Sequence, residues 1–397
     1  MIRDHYLAQK IPTDILSSYY AAFRLPDLVF NILILGTIAS AFIPVFTSYL
    51  SRKNEKEAWQ VTSAVLTIFF AVMVVMLVGL FFLLPSLIPL LVPKFDSYHQ
   101  EITLKIARIL LLSPLLFTLS YILSGILNSF KRFLIYSIAP LVYNLSIILG
   151  TILLADRFGI WAIAWAVIMG AFLHFFIQIF PAWRLGWRPK LAFNLTHPAV
   201  KKIVRLMGPR SVALGINQVM LAIYTMIASG LTSGAVAIFE LSNNIQTMPT
   251  VVFGNSVATA VFPSLSESWA LRQMEQFRSY FRKSFRAILF FLLPSTVGLF
   301  LLRAQIVRLI LGSGFFGWEQ TILASATLGY FALSLIPQGL LPLFCRSFYA
   351  LHDTKTPMWA AIFFVIVAIG LGFPLAGQLG VAGLALAFTL AAFLQII

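Results

Sequence analysis

Acidic residues are scarce in this chain: 13 Asp and Glu against 28 Lys and Arg over 397 residues, with only 10% of positions charged. Soluble domains carry about 25% charged residues, so a water-soluble fold is excluded, and so is any site built on clustered carboxylates. Cysteine is nearly absent. The single Cys345 lies in an apolar run, which excludes a disulfide framework and a thiol metal cluster. The five histidines are dispersed, so no metal site is expected. The chain has no nucleophile elbow, no glycine loop with a phosphate-binding lysine and no paired acids to hold magnesium, which argues against catalysis. The N-terminal stretch is polar and lacks the apolar core of a cleavable signal.

Apolar residues fill the space that these absences leave. They make up 60% of the sequence, and the mean hydropathy is +0.93. A helix needs ~20 apolar residues to cross a bilayer, and such runs recur here almost without interruption. They are too long for barrel strands, so the expected fold is an all-α polytopic membrane protein. About eleven spans are read, at roughly 15–50, 59–92, 102–127, 133–155, 160–181, 203–231, 236–262, 285–302, 321–349, 358–375 and 381–397. Pro26, Pro85, Pro114, Pro249 and Pro337 fall inside them and predict kinks or tilts. Gly312, Ser313, Gly314 and Trp318 read as an interfacial loop.

The net charge of +15 does not imply a nucleic-acid partner, because the basic residues are scattered over short loops. Arg52, Lys53 and Lys56, then Lys131 and Arg132, then 184–205, 272–286 and Lys355 fall on one side. The intervening loops carry little charge. The positive-inside rule makes the rich side cytoplasmic. The first span would then begin outside, which predicts a missing helix before Met1. The abrupt apolar ending at Ile397 likewise reads as a truncation.

The chain also repeats itself. Pro44 and Pro263 stand 219 positions apart, Pro114 and Pro337 stand 223 apart, and Gly159 and Gly380 stand 221 apart. Repeated membrane halves point to an alternating-access transporter with its site between the halves. The repeat predicts two parallel six-helix lobes around a central cavity: 1–183 with its first helix missing, a cytoplasmic linker at 184–202, and 203–397.

Charges inside such spans are costly, at least ~2.5–3.5 kcal/mol on insertion scales, and usually face a cavity or each other. Arg24 is therefore an anion-gripping side chain, a snorkelling one, or a partner of Asp27. Arg3, with Asp4 beside it, is a second candidate for the same anion, and Arg210 a third. Guanidinium suits a phosphate because its planar fork donates two parallel hydrogen bonds. Asp4, Asp27, Asn31, Glu240, Asn244 and Gln246 complete the expected polar lining. Asn243 and Asn244 are adjacent and cannot face one way on a helix, so one lines the cavity while the other bonds a neighbour. His174 has no second ligand at metal spacing and aligns with Gln395 in the repeat, which predicts an interhelical hydrogen bond.

Several stretches carry a family resemblance: Arg3-Asp4, AAFRLPD (21–27), SAFIPVFTSYL (40–50), GILNSFKRF (125–133) followed by Pro140 and Asn144, NNIQTMP with FG and FPSLSES (243–268), and FYALHDTKTP (348–357). With them the chain resembles the MurJ (MviN-type) lipid II flippases of the multidrug/oligosaccharidyl-lipid/polysaccharide exporter superfamily. The resemblance implies a cationic central cavity and transport of a lipid-linked peptidoglycan precursor across the bacterial inner membrane. It implies lipid II and membrane lipids as partners, a monomer, and no cofactor, with the coupling ion unread. Arg3 matches a cavity arginine of the family, and Arg24 a position usually basic. Phe30 and Asn244 stand where some members carry arginine, and Ser17 or Ser18 where the family has Asp. Other readings are an exporter of another polyprenyl-linked oligosaccharide, a drug or cation antiporter, a membrane transferase on lipid-linked sugars, and an inactive truncated copy.

Overall fold

A computed structural model of the chain describes residues 1–35, 41–194 and 196–397; the side chains of Leu35, Pro209, Arg210, Val212 and Ala213 also lie outside the described set. All regular structure among the described residues is helical. In chain order the helices are α1 (Ile2–Lys10), α2 (Thr13–Phe30), α3 (Ile43–Ser51), α4 (Glu55–Leu91), α5 (Ser97–Leu110), α6 (Leu112–Ser129), α7 (Phe133–Phe158) and α8 (Ile160–Arg184). There follow α9 (Pro198–Ser229), α10 (Ala235–Pro249), α11 (Ser256–Ala270), α12 (Met274–Leu301), α13 (Arg303–Ile310), α14 (Trp318–Ala350), α15 (Lys355–Leu379) and α16 (Val381–Ile396).

Eight of the expected spans are helices long and apolar enough to cross a membrane: α4, α5 running into α6, α7, α8, α10 running into α11, α12, α14 and α15. Leu214–Ser229 within α9 and the whole of α16 are apolar but shorter. The expected first span, 15–50, crosses positions 36–40, which lie outside the described residues. α4, at 37 residues, is about 55 Å long at 1.5 Å per residue. It starts sharply because Asn54 accepts from Glu57 N at 3.3 Å, and Glu55 and Glu57 complement the helix dipole. Its Phe82 is 74% exposed, as is 70% of Val75; such side chains are unfavourable in water and at home in lipid.

The repeat is written into backbone torsions. Gly159 between α7 and α8 has φ 55°, ψ −137°; Gly380 between α15 and α16 has φ 61°, ψ −140°. Four non-glycine residues adopt left-handed φ, and they pair in the same register: Lys53 (56°) with Arg272 (57°), and Lys131 (59°) with His352 (60°). Each ends a helix in the same way. Lys53 N donates to Leu50 O and Asn54 N to Tyr49 O; Arg272 N donates to Trp269 O and Gln273 N to Ser268 O. The same pair of bonds follows α6 and α14, and together they satisfy carbonyls that a helix end leaves open.

By packing, the chain gathers into two units, Met1–Ser17 with Ile223–Ile397, and Ser18–Ala222. This grouping interleaves the sequence, whereas the expected lobes group helices by repeat. In the second of these units α7 and α8 approach closely through small residues: a Cβ on Gly150 would fall 2.4 Å from Ala166 Cβ, and one on Gly170 2.8 Å from Tyr143 O. The segment after α8 runs back along α4. Ala192 N donates to Thr67 Oγ1 at 3.1 Å, and His197 Nε2 lies 3.1 Å from Glu57 Oε1. His174 bridges α8 to α6 as expected. Its Nδ1 is 2.6 Å from Ser120 Oγ, which accepts from Gln178 Nε2 at 2.7 Å, while Ser124 Oγ donates to Gln178 Oε1 at 2.7 Å.

In the other unit α1 docks on the loop before α14. His5 Nδ1 donates to Ile310 O at 2.7 Å, and Phe315 N donates to Gln9 O at 3.3 Å. Gly314 is required there: its φ is +58°, and a Cβ would meet Gln9 O at 2.0 Å. Ser17 Oγ then accepts from Ala237 N at 3.0 Å, so a hydroxyl on α2 caps the first turn of α10. α16 is held to α14 by Thr389 Oγ1, which donates to Tyr330 O at 2.9 Å, and by the ring pair Phe331 and Phe388 at 5.5 Å.

Candidate functional site

The polar candidates form two clusters, one in each unit. The first is built on α1 and α10. Arg3 Nε and NH2 both donate to Asp4 Oδ1, at 3.1 and 2.9 Å. Asn244 Nδ2 lies 3.5 Å from the other carboxylate oxygen, Asp4 Oδ2. Asp4 is only 4% exposed and Arg3 about a quarter. A buried carboxylate gripping one edge of a guanidinium fixes its rotamer, and Asn244 fixes the carboxylate in turn. Glu240 sits one turn before Asn244 on the same helix.

Asn243 and Asn244 do face apart. Asn244 turns to α1, while Asn243 Oδ1 accepts from Gln246 Nε2 at 3.0 Å within α10. Gln246 is buried, and its Oε1 has no hydrogen-bond partner among the described residues. Such an orphaned acceptor is uncommon inside a folded protein.

The second cluster is on α2. Arg24 and Asp27 lie one turn apart and half-buried. Asn31 Nδ2 donates to the Asp27 carbonyl at 2.7 Å, at the head of a π-helical turn, Asn31–Leu35. Arg210 lies in α9, but its side chain is outside the described residues. In the same helix Ser211 Oγ donates to Ile32 O at 2.5 Å, so α9 reaches the π turn.

A matching π turn, Thr250–Asn255, follows Pro249 in the second copy. The two turns begin 219 positions apart, each shortly after an in-helix proline (Pro26 or Pro249). Proline removes one helical donor and pushes back the carbonyl four residues earlier, and the widened turn absorbs the mismatch. Wide turns of this kind concentrate at functional positions. The second one is tied down by Arg346, whose NH2 donates to Asn255 Oδ1 at 3.2 Å. Sequence reasoning passed over Arg346, although it meets the criterion that selected Arg24: a charge inside an apolar run. Ser17 was weighed only as a family departure, and its capping of α10 had no local signal.

Among the described residues, no three His, Cys, Asp or Glu side chains converge.

A solved structure described as "Lipid II flippase MurJ, inward closed conformation" superposes with a TM-score of 0.86 at 23% identity, covering 99% of this chain and 82% of that one. An inward-facing multidrug resistance MATE family transporter of the MOP superfamily gives 0.84 at 14% identity, covering 99% and 90%. At those identities the likeness is one of fold. In sequence, a probable lipid II flippase MurJ of Rhizobium tropici is 28% identical over 386 residues, 95% of this chain and 72% of the relative. The lipid II flippase MurJ of Burkholderia cenocepacia is 26% identical over 391 residues, 95% and 75% respectively. The family model described as Lipid II flippase MurJ matches residues 10–397. With a repeated all-helical membrane fold and a family match over nearly its whole length, the chain belongs to the lipid II flippase MurJ family.

Proposed function

We propose that this protein moves lipid II, the polyprenyl-pyrophosphate-linked peptidoglycan precursor, from the cytoplasmic to the outer leaflet of the bacterial inner membrane by alternating access. The observation that carries the reading is the Arg3–Asp4–Asn244 cluster, a guanidinium positioned by a buried carboxylate. Two phosphates cannot cross bare hydrocarbon at acceptable cost, and a cation held in a fixed rotamer offsets that cost without being ordered at the moment of binding. Arg3 and Arg24 are the proposed pyrophosphate ligands, with Arg210 a third. Asp4, Asp27, Asn31, Glu240, Asn244 and Gln246 are the polar lining that positions them. The moving parts are the repeat lobes 1–183 and 203–397 with the linker 184–202, acting within one monomer. No cofactor is invoked, and transport is not a catalytic reaction.

Retention of lipid II by the purified chain, read by native mass spectrometry, tests this. Arg3→Ala and Arg24→Ala are each expected to lower retention at least about tenfold, the loss of one charge-assisted contact of roughly 1.5–3 kcal/mol. Arg308→Ala, on α13, should leave it unchanged. Equal retention by all three variants would remove the proposed site.

A further inference from the structure

α12 and α14 border a slot lined by none of the residues named in the clusters above. Residues four apart on α12 form two parallel rows. Phe281 and Phe285 face Phe344 of α14, with ring centroids 6.1, 5.7 and 6.4 Å apart. Beside that row run Arg278, Arg282 and Arg286, all exposed. The rows border a slot of about 460 Å³ lined by these rings, Phe348, Arg278 and Arg282, which is in the range of small-ligand pockets. Arg278 has only the exposed Glu275, at 3.3 Å. Arg282 and Arg286 have no carboxylate partner among the described residues.

The arginine row changes character along the helix. One turn past Arg286 the same stripe reaches Phe290, 72% exposed, then Leu293 and Val297, 48% and 55% exposed. Arg282 to Phe290 is eight residues, about 12 Å along the axis. That is a passage from headgroup to hydrocarbon on one helix face, at the positive end of the spans, which the positive-inside rule assigns to the cytoplasmic leaflet.

The repeat supplies a contrast. At the register of 219, Arg278, Arg282 and Arg286 correspond to Trp59, Ser63 and Thr67 of α4. That stripe is neutral and covered by the chain's own backbone: Gly186 packs on Trp59, its Cβ position 3.4 Å from Nε1, and Ala192 N bonds Thr67. Where the first copy has a neutral, covered stripe, the second has three exposed cations beside an aromatic slot.

We infer that this slot binds an anionic glycerophospholipid of the cytoplasmic leaflet, with its phosphate on Arg278 and Arg282 and an acyl chain along Phe281, Phe285 and Phe344. The arginines supply the charge complementarity and the phenylalanines the apolar wall, a combination that neither a free phosphate nor a neutral lipid satisfies. The site does not depend on the flippase reading.

The test is native mass spectrometry of the full chain with phosphatidylglycerol, with phosphatidylcholine of the same acyl chains, and with glycerol 3-phosphate. The wild type is expected to retain one phosphatidylglycerol with clear preference over phosphatidylcholine, and glycerol 3-phosphate should not displace it. The double variant Arg278→Gln/Arg282→Gln should lose that preference by about tenfold, since each basic side chain near an anionic surface contributes on that scale. Lys56→Gln, in the first turn of α4, should keep it. An unchanged melting temperature without added lipid confirms that the double variant is folded, and it should hold lipid II as the wild type does. Equal preference in wild type and double variant, displacement by glycerol 3-phosphate, or loss of lipid II with the double variant would each overturn the proposal. A loss of lipid II confined to Arg3→Ala or Arg24→Ala would leave it standing.

Discussion

The α6–α8 contact and its repeat counterpart, α14–α16, join equivalent helices by different chemistry. The first is held by a closed polar network, Ser120, Ser124, His174 and Gln178, with His174 3% and Gln178 0% exposed. The second relies on the ring pair Phe331 and Phe388 at 5.5 Å, with Phe364 of α15 backing Phe388 at 5.3 Å, and on the hydroxyl of Thr389. The turn torsions are shared, and the adhesive is not. His174 is thus one solution to a packing problem that Phe388 and its neighbours solve without polar atoms, which weakens any claim that it must move protons.

The contrast breaks most visibly at His174. His174→Leu removes the Nδ1 contact with Ser120, and should cost about 2 kcal/mol for that buried polar contact. Ser120 keeps the residue-174 carbonyl and Gln178, and Gln178 keeps Ser120, Ser124 and that same carbonyl. Phe388→Leu keeps an apolar side chain and forfeits mainly the ring geometry, about 1 kcal/mol. Thermal unfolding in one detergent ranks the two, and a smaller loss at His174 would mean that water enters the network. The shared scaffold is sharpened at the turn glycines. Gly159→Ala and Gly380→Ala should each lower stability by about 1 kcal/mol and match within ~0.5, because both force alanine into the same left-handed torsion with open space around it.

The smallest effect separates the copies at low pH. Asp353 accepts from Lys355 N at 2.9 Å and Thr356 N at 3.1 Å, and also from the Thr356 hydroxyl. Its repeat counterpart is Arg132, and α7 has no side-chain cap. The hydrogen bond from the Thr356 side chain, followed by that from the Thr356 backbone, holds the Asp353 carboxyl below its ordinary value. A lowered carboxylate adds stability at pH above about 3.9, and loses it as pH falls through the depressed value. Asp353→Asn should flatten that part of the acid limb in a stability-against-pH curve. Asp96, lowered first by the backbone hydrogen bond from His99, continues to titrate in the same window.

Much of this was legible in residues whose constraint is local. Pro44 and Pro263, or Gly159 and Gly380, dictate backbone form wherever they stand, so the repeat could be read through them. The proline kinks at Pro26 and Pro249 were legible as kinks, but their resolution into π turns depends on donors from Asn31, Ser211 and Arg346, two of them far along the chain. The same holds for Ser17, whose partner Ala237 lies 220 positions away, and for the docking of α1 on Gly314. In sequence the arginine row on α12 reads as loop charge, because the apolar window opens at Phe285, whereas the helix begins at Met274. Arg3, Asp4 and Asn244, each legible singly as a polar residue in or beside an apolar run, are brought together by the packing of α1 on α10.

The left-handed helix ends have a consequence for how the chain enters the membrane. Lys53, Lys131, Arg272 and His352 are each the residue that turns the backbone out of a helix, and each carries a basic side chain, though glycine would adopt that torsion with less strain. Three of the four are lysine or arginine. Shortening the loops between spans would therefore not erase the orientation signal, since part of it is built into the caps and emerges from the ribosome attached to the helix it orients.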